Sequence, residues 1–146
     1  MEKNIRPYRG LKLDKVSELL FMQKADLQEQ IRYVTLWQLS AETEEFVLGK
    51  CKPEVVAVYI EKWSLHPENE VRLIKTKNSA LIQKYVQKYP LSHDAQELLI
   101  KKGNREDVLC ILRTAFPIYA DVLKKLSKRE KGLLEVYNSV LKFRAI

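Results

Sequence analysis

Few residues in this chain have both the type and the spacing to do chemistry. His66 and His93 occupy matching loops, so as a functional pair they would be ligands or bases supplied by neighbouring units. His93 and Asp94 are adjacent, but no nucleophile is marked to go with them. The plainer reading is a pair of loop residues beside helix N-termini. Cys51 and Cys110 lie far apart and fit no metal or redox spacing. They read as small buried hydrophobes in a reducing compartment. Dinucleotide, P-loop, zinc-protease and nucleophile-elbow motifs are absent, and Gly10, Gly49, Gly103 and Gly132 are too scattered to cradle a phosphate. The expectation is a non-catalytic protein with no cofactor and no metal.

Charge is the next candidate. The net charge is +7, and residues 66–146 carry all of it. The densest run is Lys124, Lys125, Lys128, Arg129 and Lys131. With Lys101, Lys102 and Arg105 it offers a surface for a nucleic-acid backbone, whose contacts are independent of sequence and sensitive to salt. No apolar run approaches the roughly 20 residues that span a bilayer. Residues 1–10 lack the apolar core of a signal peptide. A cytoplasmic protein with no membrane partner is expected.

The elements that position these residues repeat. Trp37, Trp63 and Tyr89 share a column at a period of 26, as do Tyr33, Tyr59 and Tyr85, and Leu39, Leu65 and Leu91. A fixed apolar period of this size marks a repeat protein. Each unit reads as helix A, tight turn, helix B, short loop. In the third unit, Leu81, Ile82, Tyr85, Val86 and Tyr89 make one apolar stripe on helix B. Asp26, Lys52, Asn78 and Asn104 recur just before helix B, where Asp and Asn are strong N-caps. Pro53 and Pro67 suit first helical positions. Gly103 suits a left-handed helix terminus.

Five B helices are expected, near residues 26–37, 53–63, 79–89, 105–116 and 130–143. Short helices cannot bury an apolar face alone, so neighbours must supply the other side. The fold class is therefore all-α: a right-handed α-solenoid (superhelix) of about five 26-residue helix-turn-helix repeats. Residues 1–12 form an extended arm, and 13–146 a single helical-repeat domain. Over roughly residues 13–143, the period and apolar spacing resemble the short repeats of the α-solenoid class. HEAT-like repeats are similar, and the leucine-rich repeat variant is closer in unit length. That family can carry a cysteine cluster for an iron–sulfur centre, which Cys51 and Cys110 do not match. The resemblance implies a binding scaffold, in some members one that holds nucleic acid.

Stacking gives several surfaces to weigh. Trp37, Trp63, Tyr89 and Phe116 end the B-helix stripes, which favours core over a ladder for stacking bases. The hydroxyls of Tyr33, Tyr59 and Tyr85 are expected to reach a loop carbonyl or water at the rim. Glu42, Glu44, Glu45, Glu68, Glu70, Asp94 and Glu97 begin A helices, and Lys24, Lys50, Lys75, Lys101 and Lys102 end them. Helix dipoles alone favour that order, yet stacking would also make one edge acidic and one basic. The outer B-helix face is the expected partner surface. It presents Arg32, Val58, Glu61, Lys62, Lys84, Gln87, Lys88 and Arg113, with Ala57 and Val58 either an apolar anchor or an extra contact for the N-terminal arm. The partner is expected to be a protein or peptide, an acidic one among the candidates, the alternative being nucleic acid on the basic C-terminal units. The chain itself is expected to be a monomer or weakly self-associating.

Overall fold

The computed structural model describes residues 11–114 and 116–145. The arm expected at residues 1–12 thus lies almost wholly outside the described residues. The chain is all-α, with no strand among the described residues. Its helices are α1 (Lys15–Lys24), α2 (Leu27–Leu36), α3 (Ala41–Lys50), α4 (Pro53–Lys62), α5 (Pro67–Lys75), α6 (Ser79–Val86), α7 (His93–Lys102), α8 (Arg105–Leu112), α9 (Ala120–Arg129) and α10 (Lys131–Ala145). Odd helices are the A members and even helices the B members of each pair.

Punctuation in the sequence sets these boundaries. The side chains of Asp26, Asn78 and Asn104 accept the N–H of Glu29, Leu81 and Asp107, which satisfies one orphan donor of each B helix. Lys52 makes no side-chain cap, and Pro53 takes its place as first residue. Gly103 departs from the left-handed expectation: it is extended, at φ −67 and ψ 160. A Cβ there would lie 2.5 Å from the Leu99 carbonyl oxygen, so close approach is what glycine serves at this turn. Among the described residues, Lys77 is left-handed, at φ 60, in the longer turn between α5 and α6.

The chain divides into two compact units, one ending at Trp63 and one beginning at Ser64. In the first, α1 packs on α3 and α2 on α4. In the second, α5, α7 and α9 form one row and α6, α8 and α10 the other. Like thus packs on like, A beside A and B beside B. Helices of this length are marginal alone, so the stability lies in these layers. Met22, Tyr33, Val34, Tyr59 and Ile60 are buried in the first unit, and Leu73, Tyr85, Leu99, Leu112 and Leu126 in the second. The expected stripe on α6 is buried at Leu81, Ile82, Tyr85 and Val86. Trp37, Trp63, Tyr89 and Phe116 are half-buried. Within the first unit the Trp63 indole donates to the Val34 carbonyl at 3.0 Å, fastening α4 to α2.

Candidate functional site

A polar feature that recurs along the chain is a buried joint between A and B helices. Tyr59 is 1% exposed. Its hydroxyl donates to Glu44 Oε2 at 2.6 Å and accepts the Leu39 N–H at 2.9 Å. Tyr33 does the same with Glu18 at 2.7 Å and the Leu13 N–H at 3.2 Å. Tyr85 does so with Glu70 at 2.5 Å and the Leu65 N–H at 2.9 Å. The other carboxylate oxygen serves the next loop. Glu18 Oε1 accepts the Ser40 N–H at 2.9 Å, and Glu70 Oε1 the Ser92 N–H at 2.7 Å. These hydroxyls are therefore not at the rim. They fasten α1 to α2, α3 to α4 and α5 to α6, and Glu18 and Glu70 each also hold a following loop within their own unit.

Electrostatics follow from this geometry. Burial, then the Glu44 charge, pushes the Tyr59 phenol far above its ordinary pKa, which keeps the hydroxyl a donor. Burial also pushes the Glu18 carboxyl upward. Bonds from Lys12, the Ser40 N–H and Tyr33 outweigh that effect and hold it below its ordinary value. The acidic edge expected from the sequence is correspondingly thinned. Glu44 and Glu70 are interior, Glu42 pairs with Lys15 at 2.8 Å, and Glu97 pairs with Lys125.

The expected partner surface falls on both units. In the first, Arg32 is exposed and 3.6 Å from Glu29. Glu61 is exposed, and Val58 and Ala57 are half-buried. Lys62 donates to the Thr35 carbonyl at 2.8 Å and lies over the Trp63 ring. In the second unit, Lys84, Gln87, Lys88 and Arg113 are exposed. Gln87 and Arg113 meet in a groove of about 480 Å³, with Gln83, Glu106, Cys110, Thr114 and Phe116 completing its lining. The Gln87 amide lies 3.4 Å from Cys110 Sγ across it.

The eight basic residues proposed for nucleic acid divide into two sets. Lys125 is tied to Glu97, Arg105 lies 3.5 Å from Glu130, and Arg129 donates to the Ile100 carbonyl at 2.9 Å near the end of α7. Lys101, Lys102, Lys124, Lys128 and Lys131 are exposed. The structure does not gather the two histidines into one site. His66 is the N-cap residue of α5. His93 Nε2 meets Asp121 at 2.5 Å, and that bond, followed by the one with Asp94, raises the His93 pKa. Burial pushes the Cys51 thiol up, which disfavours the reactive thiolate. No group of three His, Cys, Asp or Glu among the described residues is placed to hold a metal ion. No helix among them is long and apolar enough to cross a membrane.

Sequence reasoning missed the joints, although a signal was present. Glu18, Glu44, Glu70 and Gln96 share the 26-residue column, 15 residues before the B-helix position held by Tyr33, Tyr59, Tyr85 and Ile111. Placing the glutamates at helix starts suggested dipole chemistry and hid their second periodicity. Compared with known protein families, curated proteins and solved structures, the chain matches none.

Proposed function

We propose that this protein is a non-catalytic helical-repeat scaffold that binds a protein or acidic peptide through its B-helix face. The observation that carries this reading is the groove between α6 and α8, where Gln87 and Arg113 stand over half-buried Cys110 and Phe116. A polar groove with half-buried Cys110 and Phe116, amides at Gln83 and Gln87, and both Arg113 and Glu106 in its lining suits an extended segment, and exposed Lys84 and Lys88 on the same face favour an acidic one. The buried carboxylates support a non-catalytic role, because Glu18, Glu70 and Asp107 are engaged by hydroxyl, amide or backbone donors. The architecture behind the reading is a right-handed α-solenoid of five short repeats similar to the leucine-rich repeat variant and HEAT-like classes. It would act in the cytoplasm as a monomer or weak self-associate.

Fluorescence anisotropy tests this reading against the nucleic-acid alternative. Labelled acidic peptides, DNA and RNA would be titrated with the full chain at low and physiological salt. The scaffold reading expects peptide binding that Lys84→Glu with Arg113→Glu abolishes and that Lys124→Gln, Lys128→Gln and Lys131→Gln leave intact. Nucleic-acid binding that survives physiological salt, and is lost in the latter set, would replace it.

A further inference from the structure

The second unit has another pocket, at the edge where A helices turn into B helices. Its volume is about 440 Å³, within the roughly 300–1,000 Å³ of small-molecule sites. The floor is aliphatic: Ile74, Ile82, Leu98 and Leu99. All but Leu98 belong to the buried core, so the floor is fixed rather than adaptable. Exposed Lys75, Lys77 and Lys102 also line the pocket. Its lining includes one carboxylate, Asp107, which is buried and already committed. Gln83 Nε2 donates to its Oδ1 at 2.9 Å and Ser79 Oγ to its Oδ2 at 3.2 Å. The rim therefore keeps an excess of positive charge over an apolar base. Lys77 stands there in a left-handed backbone conformation that glycine would adopt with less strain. Strain of that kind concentrates at binding sites.

We propose that this pocket binds a small amphiphilic carboxylate, its apolar body on the aliphatic floor and its carboxylate among Lys75, Lys77 and Lys102. The site lies beyond the partner-binding reading and uses none of Lys84, Gln87, Lys88 or Arg113. Failure of either proposal is therefore visible without the other.

The test is an NMR titration of the full ¹⁵N-labelled chain with octanoate, 1-octanol and acetate. Octanoate is expected to give saturable shifts clustered at the amides of Leu98, Leu99, Gly103 and Asn104. The alcohol, lacking the charge, and acetate, lacking the apolar body, should each bind weaker by about tenfold or more. Lys75→Gln, Lys77→Gln and Lys102→Gln together should weaken octanoate by about tenfold and leave octanol unchanged. Leu98→Gln should weaken both, and an otherwise unaltered spectrum certifies that each variant is folded. Octanol binding as tightly as octanoate, octanoate binding that ignores the lysine changes, shifts that map elsewhere, or no saturable shift would each overturn the proposal.

Discussion

Three of the polar joints hold a buried carboxylate and a fourth holds an amide, and the surroundings change to match. In the first three repeats a tyrosine supplies a hydroxyl to one carboxylate oxygen: Tyr33 to Glu18, Tyr59 to Glu44 and Tyr85 to Glu70. In the fourth, Ile111 stands where that tyrosine would be, and Gln96 replaces the glutamate. Gln96 Oε1 still accepts a next-loop N–H, from Tyr119 at 2.8 Å. Its Nε2 donates to the Pro117 carbonyl at 3.2 Å instead of waiting for a hydroxyl. In the last repeat Tyr137 returns and accepts the Ile118 N–H at 3.1 Å, while Leu123 stands at the glutamate position, placed after the N-cap Tyr119 as Gln96 is after Ser92. Two sets of donors reach the buried carboxylates of Glu18 and Glu70, and where the tyrosine is missing the carboxylate gives way to an amide.

Tyr59→Phe gives the sharpest test. It orphans both the Leu39 N–H and one oxygen of Glu44, each worth about 1–3 kcal/mol when buried, so a total loss of about 4 kcal/mol is expected. Urea unfolding read by circular dichroism measures it, and a loss below about 1 kcal/mol would mean that water or a shifted neighbour satisfies the joint. Next is Gln96→Glu, which sets an oxygen against the Pro117 carbonyl and buries a charge with half its donors. It should cost about 3 kcal/mol. Adding Ile111→Tyr should recover part of that loss in a double-mutant cycle, and strictly additive effects would break the proposed pairing of the two columns. Tyr137→Phe removes one partner from one N–H and should cost about 1–2 kcal/mol, less than its counterpart at position 59.

Acid offers a comparison without mutation. The Glu18 pKa is held down in the folded chain. Its contribution to stability is therefore present above the unfolded value, near 4.3, and is lost as pH falls through the lower folded value. The Gln96 joint has no carboxylate to titrate. In an NMR pH series, the Ser40 amide should shift with a midpoint below the ordinary glutamate range, and Glu18→Gln should remove that step. The smallest effect belongs to the turns. Lys77→Gly should stabilise the second unit by up to about 1 kcal/mol by relieving the left-handed strain, offset by the added freedom of glycine in the unfolded chain. Gly103→Ala should move the other way, because the new Cβ meets the Leu99 carbonyl. Thermal melts of the two variants report both signs.

Sequence alone determined the helical class, the 26-residue period, the B-helix stripes and most boundaries. These depend on local order: apolar spacing along a helix, an Asp or Asn cap before α2, α6 and α8, a proline at positions 53 and 67. It also singled out Gln87 and Arg113 as outward residues, which the groove brings together. Tertiary structure decided what cannot be read along one helix. Glu44 and Glu45 are neighbours of identical type at a helix start, yet the first is interior and the second exposed. Only the packing of A on B brings a tyrosine hydroxyl to one of them. Gly103 likewise takes an extended backbone in place of the expected left-handed one, and Lys77 takes a left-handed one, because the contact with Leu99 and the length of each turn fix φ there. Helical periodicity names the face a residue occupies. Whether a charge on that face is solvated or stapled depends on partners that lie 15 to 29 residues away along the chain and meet it only when the layers close.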